Sequence, residues 1–277
     1  HKDTKTFTVH GHRGFGVEKP ENTMSAFKES IKVGLDFVEL DVWLTKDLIP
    51  VVIHADSDLG FCKMRKISDH SPKEIFITKT TYAELSTLEY IKSDESVPTF
   101  EEVVILFKNT NTKINMEIKD WSSAVIKLCL DIIMRYGVSN SVFFSSFNHD
   151  HRLTLFEEEQ KRRISPRIGF GYLCDTWCKI PKWNRIKETL LEDHDLLILD
   201  TEMFLHFNEE WQEAKFQAEL HGVHMALYIG FEFVHLETEE FFDQCVADNI
   251  KAFITNVPSS SMSYKKKKEG PTDDGFS

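Results

Sequence analysis

Short apolar runs rich in β-branched residues return at regular intervals along this chain, separated by stretches of helical periodicity, and that alternation restricts the fold more than any other feature. Residues 6–11 (TFTVHG), 37–44 (FVELDVWL), 114–119 (INMEIK), 142–147 (VFFSSF), 167–173 (RIGFGYL), 196–200 (LLILD), 223–229 (VHMALYI) and 252–256 (AFITN) read as strands. A ninth run, 50–54 (PVVIH), follows the second so closely that it reads as the return strand of a small excursion. Helices fall between them: 98–110, opened by Thr99 with Glu102 in a capping box; 122–136, opened by Ser122 or Ser123 and stopped at Gly137; and 208–221, stopped at Gly222. Strands joined by helical crossovers call for a parallel sheet, and eight such units in about 250 residues have the size of a (β/α)8 TIM barrel.

One segment breaks the rhythm. Residues 55–97 have weak periodicity, a basic cluster at Lys63, Arg65 and Lys66, and a short helix expected after Thr81 and Glu84. A loop of that length in a compact domain carries function or its own small fold, so it is expected as a small insertion after the second barrel strand, over the barrel mouth. The barrel domain is expected to span 1–258. Residues 259–277 read as a polar, frayed tail holding the one dense basic run, Lys265 to Lys268.

With 277 residues and 41% hydrophobic content the chain can bury a large core. A formal charge of -12 argues against nucleic acid as a partner, because phosphate-backbone binding needs a basic face. The lysine run leaves room for weak contact with a membrane surface, but no apolar run approaches the ~18 residues of a membrane span. The five cysteines, Cys62, Cys129, Cys174, Cys178 and Cys245, are odd in number and lack metal-type pairing, which points to a reducing, cytoplasmic compartment; Cys174 and Cys178, spaced C-x-x-x-C, read as structural.

The chemistry gathers at strand ends. In VELDV the side chains alternate, so Glu39 and Asp41 share one face while Val38, Leu40 and Val42 take the face that packs on helices. NMEIK repeats the pattern, with Asn115, Glu117 and Lys119 inward and Met116 and Ile118 outward. Three inward acids repel one another unless a cation sits among them, and an all-oxygen donor set favours Mg²⁺ or Ca²⁺ over zinc. The stretch VHGHRGFGVEKPENTMSAF adds His10, His12 and Arg13 within a glycine-rich turn, and PVVIH brings His54 to the same rim. His10 reads as structural. Pro20 to Thr23 reads mainly as the entry to the first helix, with Asn22 or Thr23 as its N-cap.

The ordered set HGHRGFGVEKPENTMSAF, VELDVWLTKD, PVVIH, VPTFEEVV, NMEIK, SSF and AFITNVP resembles the glycerophosphodiester phosphodiesterase family over about residues 7 to 258. The resemblance implies a metal-dependent hydrolase on a TIM barrel that cleaves glycerophosphodiesters to glycerol 3-phosphate and an alcohol. It implies His12 and His54 as general acid and base, Glu39, Asp41 and Glu117 as metal ligands, and Arg13 and Lys119 as phosphate-binding groups. The sequence departs from the family pattern after His54, where the text runs HADSDLGF; near the seventh strand, where Tyr228 is the candidate substrate-binding aromatic; and at Thr255-Asn256, where the family usually ends in Thr-Asp. Alternatives on the same residues are lysophospholipase D-type cleavage of a lipid diester and non-catalytic glycerophosphodiester binding. The residues leave open which histidine is the acid and what the oligomeric state is.

Overall fold

Outward-facing Val, Leu, Ile and Phe pack on helices, while inward-facing side chains, polar at Glu39, Asp41 and Glu117 and apolar at Phe143, Leu173, Ile198 and Ile254, let eight strands close on themselves in the computed structural model, which describes residues 7–175 and 195–270. The barrel strands are β1 (Thr8–Gly11), β2 (Phe37–Leu44), β7 (Lys113–Ile118), β8 (Val142–Ser146), β9 (Phe170–Cys174), β10 (Leu196–Asp200), β11 (His224–Tyr228) and β12 (Ala252–Thr255). All neighbours pair in parallel, and β1 closes the ring by pairing with both β12 and β2. β3 (Pro50–Val52) returns antiparallel along the C-terminal half of β2, as expected of the ninth run.

The alternation read from VELDV and NMEIK is observed. Val38, Leu40, Val42, Met116 and Ile118 lie in the main apolar cluster between the strands and the surrounding helices. Among these helices are α1 (Met24–Val33), α3 (Phe100–Phe107), α4 (Ala124–Tyr136) and α5 (His151–Arg162). α3 begins with the expected capping box: Thr99 accepts from the Glu102 amide at 3.1 Å, and the Glu102 carboxylate accepts from the Thr99 amide at 2.8 Å. α4 ends at Gly137 in the left-handed conformation. Beyond β10, α6 (Thr201–His206) leads into α7 (Asn208–His221), which stops at Gly222, and α8 (Glu239–Ala247) precedes β12.

Within 55–97 lies a second, three-stranded sheet of β4 (Phe61–Lys66), β5 (Pro72–Phe76) and β6 (Leu88–Tyr90), with the short helix α2 (Tyr82–Leu85) capped by Thr81 and Glu84. Its own apolar cluster includes Cys62, Met64, Ile75, Ile77 and Leu85 and extends onto Trp43 and Val51. Tyr90 donates from its hydroxyl toward the carbonyls of Asn22 and Val52, at 3.2 and 3.1 Å, and Glu95 accepts from Ser25. These contacts dock the sheet beside the first βα loop.

The expectation for the chain end needs correction. Residues 258–269 form a helix, α9 (Pro258–Glu269), in place of a frayed tail, because Met262 and Tyr264 are buried against the barrel wall. Lys265 pairs with Asp36 at 2.7 Å, Lys267 with Glu239 at 2.5 Å and Lys268 with Asp243 at 2.5 Å. Most of the basic run is therefore neutralised internally by the protein's own acids. Cys62, Cys129, Cys174 and Cys245 are buried free thiols, and Cys178 lies outside the described residues. No helix among the described residues is long and apolar enough to cross a membrane.

Candidate active site

Register brings the acids together. Asp41 on β2 stands beside Glu117 on β7, and Glu39 lies one inward position below Asp41. One carboxylate oxygen from each of Glu39, Asp41 and Glu117 lies within 4.8 Å of the others, and all three residues are buried. Such crowding needs positive charge. Lys119 supplies part of it, with its Nζ 2.5 Å from Glu117 and 3.3 Å from Asp41. Arg13 supplies more: its backbone amide donates to Glu39 at 2.7 Å, and its Nε lies 3.6 Å from Asp41. The same guanidinium donates to Glu21 at 2.7 Å, so two fixed cations serve more than three acids.

The residues fit a divalent cation on two grounds. Glu39 Oε1 is buried without a hydrogen-bond partner, and the donor set is entirely carboxylate oxygen. The electrostatics agree in direction. Burial, then the neighbouring Asp41 and Glu117 charges, push the Glu39 carboxyl well up, and burial likewise raises Glu117, with Lys119 opposing. For Asp41 burial is outweighed by Lys119 and Arg13, which hold its carboxyl below the usual range. Burial also works against the Lys119 charge, but Glu117 and Asp41 overcome it and hold the ammonium protonated.

His12 and His54 flank this cluster from different elements. His12 follows β1, and its backbone amide donates to the Thr255 carbonyl at 3.0 Å. Its ring stacks on Phe231 at 4.7 Å and meets the edge of Tyr228 at 5.0 Å, while Phe231 also lies under the Arg13 guanidinium at 5.0 Å. Burial, with Arg13 adding to it, pushes the His12 imidazole down to about 3. His54 follows β3 and is less buried; burial lowers its pKa, while Asp41 pulls the other way. His10 is structural, as expected: it is buried, stacks on Phe37 at 4.3 Å and bonds Thr8 and Asn115 at 3.0 and 3.3 Å.

Several residues here escape sequence reasoning. Thr23 alone caps α1, accepting from the Ala26 amide at 3.2 Å. Asn22 is instead fully buried at the acids: its Nδ2 donates to the Asp41 carboxylate at 2.8 Å, and its Oδ1 accepts from the Asp41 amide at 3.3 Å. Its positive φ of 54° and that of Arg13, 49°, are uncommon for side-chain-bearing residues and mark a turn shaped around the site. The signal was present in the Pro-Glu-Asn-Thr string, but local spacing read it as a cap. Phe231 has no local signal, and Asn256 is marked only as a departure from the family motif; each reaches His12 through the closing of the barrel.

The glycerophosphoryl diester phosphodiesterase family profile matches residues 12–177, more than half of the chain. The chain belongs to this family. A glycerophosphodiester phosphodiesterase of Caldanaerobacter subterraneus is 30% identical over 178 residues, covering 61% of this chain and 67% of that protein. The uncharacterized protein YqiK of Bacillus subtilis is 33% identical over 154 residues, covering 51% of this chain and 58% of its own. The match thus spans 58% to 67% of these relatives' own length. A solved Oleispira antarctica phosphodiesterase, in complex with the product sn-glycerol-3-phosphate, superposes with a TM-score of 0.68 at 21% identity, covering 93% of this chain and 96% of that one. His12, His54, Glu39, Asp41, Glu117, Arg13 and Lys119, the residues expected from the sequence, converge at one end of the barrel.

Proposed function

We propose that this protein hydrolyses glycerophosphodiesters to glycerol 3-phosphate and an alcohol, with one divalent cation, Mg²⁺ or Ca²⁺, held by Glu39, Asp41 and Glu117. The observation that carries the reading is the buried carboxylate cluster with Glu39 Oε1 unpartnered, flanked by two cations and two imidazoles. A bound divalent cation supplies Lewis-acid polarisation of a phosphoryl oxygen. The chain's own residues do the remainder. A phosphodiester repels nucleophiles by its negative charge, and Arg13 and Lys119 concentrate positive charge where the substrate's anionic oxygens bind. Glu21 and Phe231 hold the guanidinium in place. His12 and His54 exchange protons with the attacking and departing oxygens, each contributing roughly 10²–10⁴ in rate. Tyr228, against the edge of the His12 ring, lines the substrate side.

Beside Arg13 a cleft of about 720 Å³ runs between the first βα loop and the inserted sheet, lined by Val17, Lys19, Lys63, Tyr90, Ile91 and Phe231 among others. The exposed apolar Val17 and Ile91 favour a second reading, cleavage of a lipid-bearing diester in the manner of a lysophospholipase D. A substrate panel of glycerophosphocholine, glycerophosphoethanolamine and lysophosphatidylcholine, with each metal, tests both. Metal-dependent release of the alcohol, lost in H12A and H54A, is the expected result. No turnover of any member, or full activity in either variant, overturns the proposal.

A further inference from the structure

The His12 ring has one hydrogen-bond partner among the described residues, the side-chain amide of Asn256, 2.6 Å from Nδ1. Asn256 is fully buried, and its other end is committed: Nδ2 donates to the Ile229 carbonyl at 2.6 Å. A carbonyl oxygen only accepts, so the amide nitrogen must face Ile229 and Oδ1 must face His12. An amide oxygen also only accepts, so the proton between Oδ1 and the ring belongs to Nδ1. Turning the amide over would set two acceptors against each other at Ile229.

We infer that Asn256 is the positioning residue of this site: it fixes His12 as the Nδ1–H tautomer, so that Nε2 meets the substrate with a free lone pair, as a proton acceptor. The inference rests on the proposed hydrolysis for its catalytic consequence but not for the tautomer itself. The clamp around the pair is tight. The Asn256 amide donates to Glu237 at 3.0 Å, its carbonyl accepts from Val17 at 2.9 Å, and Phe231 covers one face of the ring. Gly16 passes so close that a Cβ there would lie 2.1 Å from the Asn256 carbonyl oxygen.

The identity of the side chain matters as well as its orientation. A carboxylate at this position would compensate the charge of an imidazolium. A neutral amide accepts the same hydrogen bond and adds no charge, which leaves the resting ring neutral. Nε2 then takes a proton from the attacking water as the water oxygen bonds to phosphorus. The P–O bond to the alcohol breaks, and the departing oxygen takes a proton from His54. One proton passes from nucleophile to leaving group, and exchange with solvent restores both rings.

The test reads the tautomer directly in the wild-type chain. Two-bond ¹H–¹⁵N correlation of ¹⁵N-histidine-labelled, metal-free protein at pH 7, with H12Q identifying the ring, is expected to give a protonated Nδ1 and a bare Nε2. An Nε2–H tautomer or an imidazolium overturns the inference. In the metal-loaded enzyme N256A is expected to lose about 10²-fold in kcat, with KM changed by no more than about twofold, because the ring is freed while phosphate contacts remain. An N256A protein that melts cooperatively and keeps wild-type kcat also overturns it. The spectrum needs no substrate, so failure of the glycerophosphodiester reading would leave the tautomer result standing, and the two failures are distinguishable.

Discussion

Glu237 has its two oxygens beneath the Thr255-Asn256 turn, one accepting from the Asn256 amide at 3.0 Å and the other in a very short contact with the Thr255 hydroxyl. Burial pushes its carboxyl up to about 7, despite those hydrogen bonds pulling it down. The folded-state pKa exceeds the unfolded one, so the stabilisation is complete below about pH 4.5 and is lost as pH rises toward about 7. Urea unfolding of wild type and E237Q at pH 5 and pH 8 checks this: the gap is expected to move in favour of E237Q at the higher pH. A constant gap contradicts it. At the acids, titrating Mg²⁺ or Ca²⁺ into metal-free protein should stabilise it by about 2.7 kcal/mol at a hundredfold excess over Kd, read as a rise in Tm. E39Q and E117Q should lose most of that rise, since each removes one of the carboxylates that gather within 4.8 Å. An undiminished rise in both variants would place the ion elsewhere.

At the scale of elements, local signals and observed structure agree at the capping boxes of α2 and α3. Thr99 and Glu102 satisfy each other's amides at the start of α3, as spacing alone suggested. Thr99→Ala should cost about 1 kcal/mol in unfolding free energy without altering the metal-induced shift, because the cap lies on the outer helical layer. A loss under a few tenths would mean that packing of Phe100, Val103 and Val104 holds the helix without it. The strand expected over 167–173 begins only at Phe170, the start of β9. Ahead of it Arg167 pairs with Glu159 at 3.3 Å and the Ile168 amide donates to the same carboxylate at 2.6 Å. Apolar periodicity registers the side chains but cannot report that a buried acid has captured the preceding backbone.

Across the whole molecule, closure of the ring is what assembles the site. β1 and β12 are 244 residues apart in sequence at their first paired position, Thr8 with Ala252. Their pairing places His12 beside Asn256, and the same closure seats α9 over Phe7, whose ring lies 5.7 Å from that of Tyr264. A chain ending at Val257 would lose the buried Met262 and Tyr264, each worth about 1.5–3 kcal/mol, and the Lys265 bridge to Asp36. Its thermal midpoint should fall by well over what K265A alone causes; equal midpoints would show that the helix merely rests on the barrel. The alternation of strands and helices, the inward direction of Glu39, Asp41 and Glu117 and the caps of α2 and α3 were legible in the primary structure, because each depends on side chains within a few residues of one another. The pairing of Asn22 with Asp41, the clamp of Asn256 on His12 and the docking of the lysine-bearing helix were not. They join segments far apart in the chain, and local periodicity carries no information about which distant partner a buried polar group will meet once the barrel closes.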